Sequence, residues 1–271
     1  MGPRLGAARV GVMAGGTGGH VFPALAVAET LRSQGMQVFW IGTERGMEPV
    51  RVEGLRGKGL APLLGAPFKL IRALWQAGRI LHRRAPSVVL GMGGFASGPG
   101  GLAARVLGLP LVIHEQNRVP GLTNQWLARI ATRVFEAFPG SFPPNRRAIA
   151  TGNPVRRAIA ALPPPRERLT GRVGPGRLLV VGGSLGAKVL NEMVPAALAL
   201  IPAPERPQVR HQAGQQTLTM ARQAYAAAGV EAEVTPFIAD MAQAYGWADL
   251  VVCRAGALTV SELAAAGVGS I

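Results

Sequence analysis

The chain has 271 residues, 48% of them hydrophobic and 16% charged, which excludes a disordered polymer and makes two domains of ~150 residues the first expectation. Its formal net charge of +15 is lopsided: residues 1–170 hold 22 Lys/Arg against 7 Asp/Glu, and residues 171–271 hold 7 of each. A single cysteine, Cys253, excludes a disulfide framework and a thiolate metal cluster and fits a reducing cytosol.

Apolar runs of strand length alternate with helical patterns along the chain, the mark of βαβ units and a parallel sheet. Residues 9–14 read as a short buried strand, followed by a Gly loop at 15–19 and a helix that starts near Pro23 and stops at Gly35. Strands are expected at 37–41, 87–90 and 111–114, the last two each leading through a polar or Gly-rich loop into a helix. Residues 60–84 read as a further helix. The uncharged stretches 10–28 and 85–104 are broken by five and six glycines and by proline, so they are strand–loop–helix passages and not membrane spans. Arg9 interrupts the first apolar run, which argues against a secretory signal. Residues 152–176, with three consecutive prolines at 163–165, have the composition of a linker. The pattern then restarts with a strand at 177–181, a Gly loop at 182–186 and a helix at 187–200 kinked at Pro195. Strands follow at 209–212, 232–235 and 249–253, then a helix at 259–266 that stops at Gly267. Gly269-Ser270-Ile271 reads as the start of another strand, so a C-terminally truncated chain is expected.

Both halves thus begin with strand, glycines and helix: Gly15-Gly16-Thr17-Gly18-Gly19-His20 and Gly182-Gly183-Ser184-Leu185-Gly186-Ala187. Glycines let backbone amides approach an anion, and the helix N-terminus adds its positive dipole end. One such turn is as compatible with a tight connection as with a ligand site; two at matched positions favour ligands. Neither is a dinucleotide fingerprint or a P-loop, and no acidic ribose partner follows residues 37–41, which disfavours a nicotinamide oxidoreductase and a P-loop nucleotidase. A third segment, Gly91-Met92-Gly93-Gly94-Phe95-Ala96-Ser97-Gly98-Pro99-Gly100-Gly101, is either shaped for a ligand or a packing turn beneath the first loop. Ligands of open α/β sheets lie outside the carboxyl ends of strands. His114-Glu115-Gln116-Asn117, Gly152-Asn153-Pro154-Val155-Arg156 and Arg254-Ala255-Gly256 leading to Ser261-Glu262 fall there. Amide, carboxylate and guanidinium groups of this kind suit a sugar nucleotide, although His114 and Glu115 are equally readable as a loop-bracing pair. His20 is either a general base or a helix-start hydrogen-bond partner. The two aspartates, Asp240 and Asp249, have no Asp-x-Asp spacing, so no metal and no cofactor is expected, and a leaving phosphate would rely on amides, helix dipoles and Arg.

Gly15 to Pro23 with its Thr-Gly-Gly-His core, the 91–101 segment, His114-Glu115-Gln116-Asn117, Gly152-Asn153-Pro154-Val155-Arg156, Gly182-Gly183-Ser184 and Ala257-Leu258-Thr259-Val260-Ser261-Glu262 closely resemble the MurG glycosyltransferases. The resemblance runs from about residue 9 to 267. It implies an α/β fold of glycosyltransferase-B type, with two Rossmann-like domains whose parallel sheets face a cleft and a second domain that is incomplete. Residues 1–157 would be the acceptor and membrane-facing domain, 158–176 a linker, and 177–271 the UDP-GlcNAc-binding domain. It implies inverting transfer of GlcNAc from UDP-GlcNAc to the MurNAc 4-hydroxyl of undecaprenyl-pyrophosphoryl-MurNAc-pentapeptide (lipid I), giving lipid II, at the cytoplasmic face of the bacterial inner membrane. Carried over by motif, Thr17, Gly18 and Gly19 would lie beside the diphosphate and sugar, and Asn117 would contact GlcNAc. Arg156 and Ser184 would hold the phosphate side, Ile238 would lie against uracil, and Glu262 would take the ribose hydroxyls, within the Ala257, Leu258, Thr259, Val260, Ser261 string. His20 would take the proton of the attacking hydroxyl, with His114 and Glu115 as further catalytic candidates near the acceptor. Between residues 43 and 57 the chain is shorter than the family pattern and is expected to lack a strand before Gly54. It also ends before the family's Gln-bearing donor loop. The alternatives are therefore a nucleotide-sugar-binding fragment without turnover, or another lipid-directed glycosyltransferase of the same fold.

The helix at 60–84 has a testable face. Lys69, Arg72, Gln76, Arg79 and Arg83 recur at spacings of three and four and share one stripe. Phe68 and Trp75 border it, and Leu70, Leu74 and Leu81 are expected on the core side. Lys69, Arg72, Trp75 and Arg79 would then contact an anionic membrane surface, or form an ordinary solvated face. The lopsided charge points to such a surface too, although an Arg-rich genome also contributes to it. No nucleic-acid module or aromatic stacking set is present in the sequence, so nucleic acid is not expected as a partner.

Overall fold

Side chains alternate across a strand, so an apolar run buried on both faces feeds two cores at once. A computed structural model describes residues 8–15, 18–43, 51–52, 66–183 and 186–271, and in it both halves of the chain are built on this rule. The chain divides into two compact units, Met1–Pro154 and Val155–Ile271.

In the first unit, β1 (Arg9–Met13), β2 (Gln37–Thr43), β3 (Arg51–Val52), β4 (Val88–Gly91), β5 (Leu111–Glu115), β6 (Arg133–Glu136) and β7 (Ile149–Ala150) form a seven-stranded sheet in the order β3-β2-β1-β4-β5-β6-β7. Every pairing is parallel. Val12, Trp40 and Leu90, adjacent in register, pack with Ala24 and Ala28 of the Gly18–Ser33 helix. Their neighbours Met13, Ile41 and Val89 go to the opposite face, with Leu111 and Ile113. That face is covered by the helices Ala66–Arg84, Ser97–Val106 and Leu122–Leu127. Ala73, Ala77 and Leu81, spaced four apart and fully buried, form the contact stripe of the first of these.

In the second unit, β8 (Arg177–Val181), β9 (Gln208–Gln212), β10 (Glu233–Thr235), β11 (Leu250–Cys253) and β12 (Gly269–Ser270) form a parallel sheet in the order β10-β9-β8-β11-β12. Leu178 and Val180 pack under the helices Lys188–Ala199 and Leu218–Ala227, while Leu179, Val181 and Val251 pack against Met241–Trp247 and Ala257–Ala266. In each sheet the strand order reverses once, between β1 and β4 and between β8 and β11. Such reversal points are where open α/β sheets bind ligands, beyond the carboxyl ends of the strands.

Four sequence expectations are corrected. The first helix starts at Gly18, five residues before Pro23, because burial of Val21, Ala24 and Ala28 outweighs the poor helix propensity of its leading glycines. Pro23 removes only one helical donor, and the helix runs on. A strand does precede Gly54, namely β3, paired with β2 through Gly42 to Arg51 and Thr43 to Val52. Residues 158–176, expected as a linker, are folded onto the second unit through the short helices Arg157–Ala160 and Pro165–Arg168. Ile159 is 1% exposed within that unit's core, a burial of about 2 kcal/mol. Arg172 donates to the carbonyls of Gly246 and Trp247 at 2.6 and 2.8 Å and pairs with Asp249. Finally, Leu70 is exposed and does not join the core; Ala73 and Ala77 face the sheet in its place.

Candidate active site

The site in the first unit begins with backbone packing at the β1/β4 reversal. Gly94, with φ of +79°, lies so close beneath the first Gly loop that a Cβ would stand 2.1 Å from the Gly15 carbonyl oxygen. A Cβ on Gly93 would meet the His20 ring at 2.9 Å, and one on Gly100 would meet Met13 Sδ at 2.2 Å. Ser97 Oγ lies 3.0 Å from the Met13 carbonyl oxygen and 2.8 Å from that of Gly93. The glycines of residues 91–101 thus make the close contacts expected of a packing turn, with Gly15 and His20 resting against Gly94 and Gly93. Gly18 and Gly19 form the first turn of the Gly18–Ser33 helix, whose leading N–H groups have no helical acceptor. Thr17 lies outside the described residues.

His20, also in that turn, is tied to β5 through one amide. His20 Nδ1 lies 2.9 Å from Gln116 Oε1, and Gln116 Nε2 lies 3.2 Å from His114 Nδ1 and donates to the His114 carbonyl at 3.0 Å. His114 Nε2 in turn lies 2.9 Å from the Gly152 carbonyl oxygen. His114 is 5% exposed, and burial lowers its pKa, opposed by the Gly152 hydrogen bond and the nearby Glu115 charge. Glu115, 1% exposed, accepts at Oε1 from the Asn117 backbone N–H and Nδ2, both at 2.9 Å, and at Oε2 from the Gly121 N–H at 3.1 Å and Asn124 Nδ2 at 2.9 Å. Both ring nitrogens of His114 and both carboxylate oxygens of Glu115 are therefore engaged inside the fold. They brace the loop after β5 and hold the exposed Asn117, whose Oδ1 accepts no hydrogen bond among the described residues. Asn153 Nδ2 ties the 152–156 turn to the Gln116 carbonyl at 3.1 Å. Gln116 and Asn124, neither singled out by sequence reasoning, are the residues that complete this network. Gln116 stood within the quoted His-Glu-Gln-Asn string; Asn124 carried no signal.

The second unit gathers its own set at the β8/β11 reversal. Arg156 grips Glu262 Oε1 with Nε at 3.0 Å and its terminal nitrogen at 2.8 Å, and the Tyr245 hydroxyl donates to Oε2 at 3.3 Å. Three of the carboxylate's roughly four acceptor positions are thus taken. Burial raises the Glu262 pKa, opposed by Arg156. Burial and the Glu262 charge likewise push Tyr245 above its ordinary value, so it remains a donor. Tyr245 had no sequence signal. Ala257, Leu258 and Thr259 open the Ala257–Ala266 helix, which has no side-chain cap, while Ser261 Oγ bonds back to the Ala257 carbonyl at 2.9 Å. Val260 is exposed at 44%, and Ile238 packs half-buried against the core. Ser184 lies outside the described residues.

On the Ala66–Arg84 helix, Phe68, Ile71 and Trp75 are exposed at 76, 63 and 62%, and the Arg79 guanidinium lies 5.2 Å from the Trp75 ring centroid. Arg72 is exposed beside them; the side chain of Lys69 lies outside the described residues. The neighbouring helices expose Leu102 and Val106, and Leu122 and Trp126, the last stacked by Arg129 at 4.2 Å.

Residues 10–136 match the glycosyltransferase family 28 N-terminal domain and residues 177–271 its C-terminal domain. The chain is 56% identical over 272 residues to the UDP-N-acetylglucosamine–N-acetylmuramyl-(pentapeptide) pyrophosphoryl-undecaprenol N-acetylglucosamine transferase of Marinobacter nauticus, covering 96% of this chain and 75% of that one. It is 58% identical over 277 residues to the transferase of the same name from Nitrosococcus oceani, covering 98% and 77%. Among solved structures, Acinetobacter baumannii MurG superposes with a TM-score of 0.74 at 44% identity, covering 97% of this chain and 77% of that one. The chain belongs to glycosyltransferase family 28.

Proposed function

We propose that this chain transfers GlcNAc from UDP-GlcNAc to the MurNAc 4-hydroxyl of lipid I with inversion, the step that makes lipid II in peptidoglycan synthesis. The observation that carries the chemistry is His20. Its imidazole is clamped between Gly93 and Gln116 at the carboxyl end of β1, and its Nε2 takes no hydrogen bond among the described residues. In the reaction the acceptor O–H bond breaks and its proton passes to His20. The oxygen bonds to the anomeric carbon, and the bond from that carbon to the β-phosphate oxygen breaks with its electron pair, releasing UDP. The charge that develops on the diphosphate is met by helix N-terminal amides and arginine, groups that can stabilise an anion without proton transfer. Glu262, oriented by Arg156 and Tyr245, takes a ribose hydroxyl at its remaining acceptor position. Asn117, held by Glu115, contacts the sugar.

We propose further that the exposed aromatic and basic helices of the first unit rest on an anionic bilayer, placing the enzyme peripherally at the cytoplasmic face of the cell membrane. No helix among the described residues is long and apolar enough to cross a membrane. Exposed apolar side chains rimmed by arginines are the pattern of interfacial binding.

The test is UDP release by the purified chain from UDP-GlcNAc, with and without a soluble lipid I analogue. Acceptor-dependent release is expected, with a loss of about 10²- to 10⁴-fold in His20→Gln. UDP binding without acceptor-dependent release would instead make the chain a nucleotide-sugar-binding protein.

A further inference from the structure

Gln116 is 1% exposed and has no part in the chemistry above, yet among the described residues it is the side chain that joins His20 to the end of β5. Its orientation follows from partners that can act in only one sense. The atom 3.0 Å from the His114 main-chain carbonyl must be a donor, so that end is the NH₂ group and the other end is Oε1. Oε1 can only accept, and it lies 2.9 Å from His20 Nδ1, so the proton of the neutral His20 ring resides on Nδ1. The far end is set in the same manner. His114 Nε2 faces the Gly152 carbonyl and must carry a proton, which leaves a lone pair on His114 Nδ1 to receive the second Gln116 N–H at 3.2 Å. Two main-chain carbonyls, 38 residues apart, therefore dictate the proton at every nitrogen of the chain.

We propose that Gln116 is a positioning residue that locks His20 in the Nδ1–H tautomer, so that the Nε2 lone pair receives the acceptor proton, and that neutral His114 is the strut holding Gln116 in that orientation. The role in turnover rests on the transferase reading of His20; the tautomer does not. During the reaction His20 becomes imidazolium by gaining a proton at Nε2, while Nδ1–H continues to donate to the amide oxygen. Protonation of His114 would set an N–H against the Gln116 NH₂ group, and burial keeps that ring neutral. Gly93 completes the clamp, since any Cβ there would displace the His20 ring.

Two-bond proton–nitrogen correlation spectra of the full chain carrying isotope-labelled histidine read the tautomers directly, each of the four histidines being assigned by substitution in turn. At neutral pH, His20 is expected with its proton on Nδ1 and His114 with its proton on Nε2. In Gln116→Leu the His20 ring is expected to move towards the Nε2–H form that dominates in water, and kcat is expected to fall about 10- to 100-fold with KM for UDP-GlcNAc unchanged. A wild-type His20 protonated at Nε2 would overturn the proposal without any variant. So would a folded Gln116→Leu chain with the wild-type tautomer and kcat. If the wild-type tautomers are as expected but no acceptor-dependent UDP release occurs, the positioning network stands and the transferase reading fails.

Discussion

His211 lies on β9 at the centre of the second unit, fully buried, with Nδ1 3.0 Å from the Tyr225 hydroxyl and its ring edge-on to the tyrosine at 5.6 Å. Its Nε2 has no hydrogen-bond partner among the described residues, so an imidazolium there would bury an N–H without an acceptor. Burial lowers its pKa to about 4. Below pH 6.5 the unfolded chain takes up a proton at this side chain that the folded chain refuses until about pH 4. Folding stability is therefore fully present above pH 6.5 and is lost as the pH falls towards 4, by about 3 kcal/mol from this residue alone. Urea midpoints measured across that window are expected to fall steeply in the wild type and to flatten in His211→Gln, which keeps a polar partner for Tyr225 and cannot titrate. His114 acts in the same direction. By contrast, Glu262 gains protons more readily in the fold than outside it, so its own contribution is strongest at low pH and falls as the pH rises through its raised pKa.

At the level of elements, glycines with the same backbone conformation differ in what surrounds them. Gly94 and Gly108 have φ of +79° and +71°, but a Cβ on Gly94 would collide with the Gly15 carbonyl whereas one on Gly108 would meet nothing within 4 Å. Gly108→Ala is expected to cost about 1 kcal/mol, the left-handed backbone strain alone. Gly94→Ala adds backbone displacement in a tightly packed turn, about 2–4 kcal/mol altogether, because the Gly15 carbonyl must move aside. Chemical denaturation of both variants separates strain from collision: equal losses would show that the 91–101 turn yields to a methyl group. The Ala66–Arg84 helix makes a related point. Its buried stripe consists of small alanines and one leucine, which brings the helix close to the sheet and leaves its large apolar side chains outside.

Across the whole molecule, twelve of the fifteen excess positive charges (18 Lys/Arg against 6 Asp/Glu) fall in the unit whose helices expose Phe68, Ile71, Trp75 and Trp126. Coulombic attraction of exposed charges is screened beyond about 8 Å at physiological ionic strength, whereas insertion of an aromatic ring is not. Flotation with vesicles rich in anionic phospholipid is expected to show binding that weakens as salt is raised. Arg79→Glu is expected to lower the partition coefficient roughly tenfold at low salt. Trp75→Ala should weaken binding at low and high salt alike. Equal binding to zwitterionic vesicles would remove the electrostatic part of the proposal.

The local physics of the chain determined the repeating strand–Gly loop–helix pattern, β8 at 177–181, the stop at Gly267 with its left-handed φ of +62°, and the glycine-bearing ends of β1 and β8. These depend on periodicity and turn chemistry within about ten residues, which a sequence displays. Strand order depended on pairing between segments far apart, and β6 and the two-residue β7 were too short or too mixed in composition to stand out. The candidate site divides likewise. Its motif residues were legible one by one, but the join from His20 to Gln116 spans 96 residues and that from Arg156 to Glu262 spans 106. The same folding engages both ring nitrogens of His114 and both carboxylate oxygens of Glu115 within the first unit, and packs the 91–101 glycines against Gly15 and His20. Which polar atoms are consumed inside a protein and which remain for a substrate is decided by three-dimensional hydrogen-bond satisfaction, because a buried group must find a partner wherever the chain brings one.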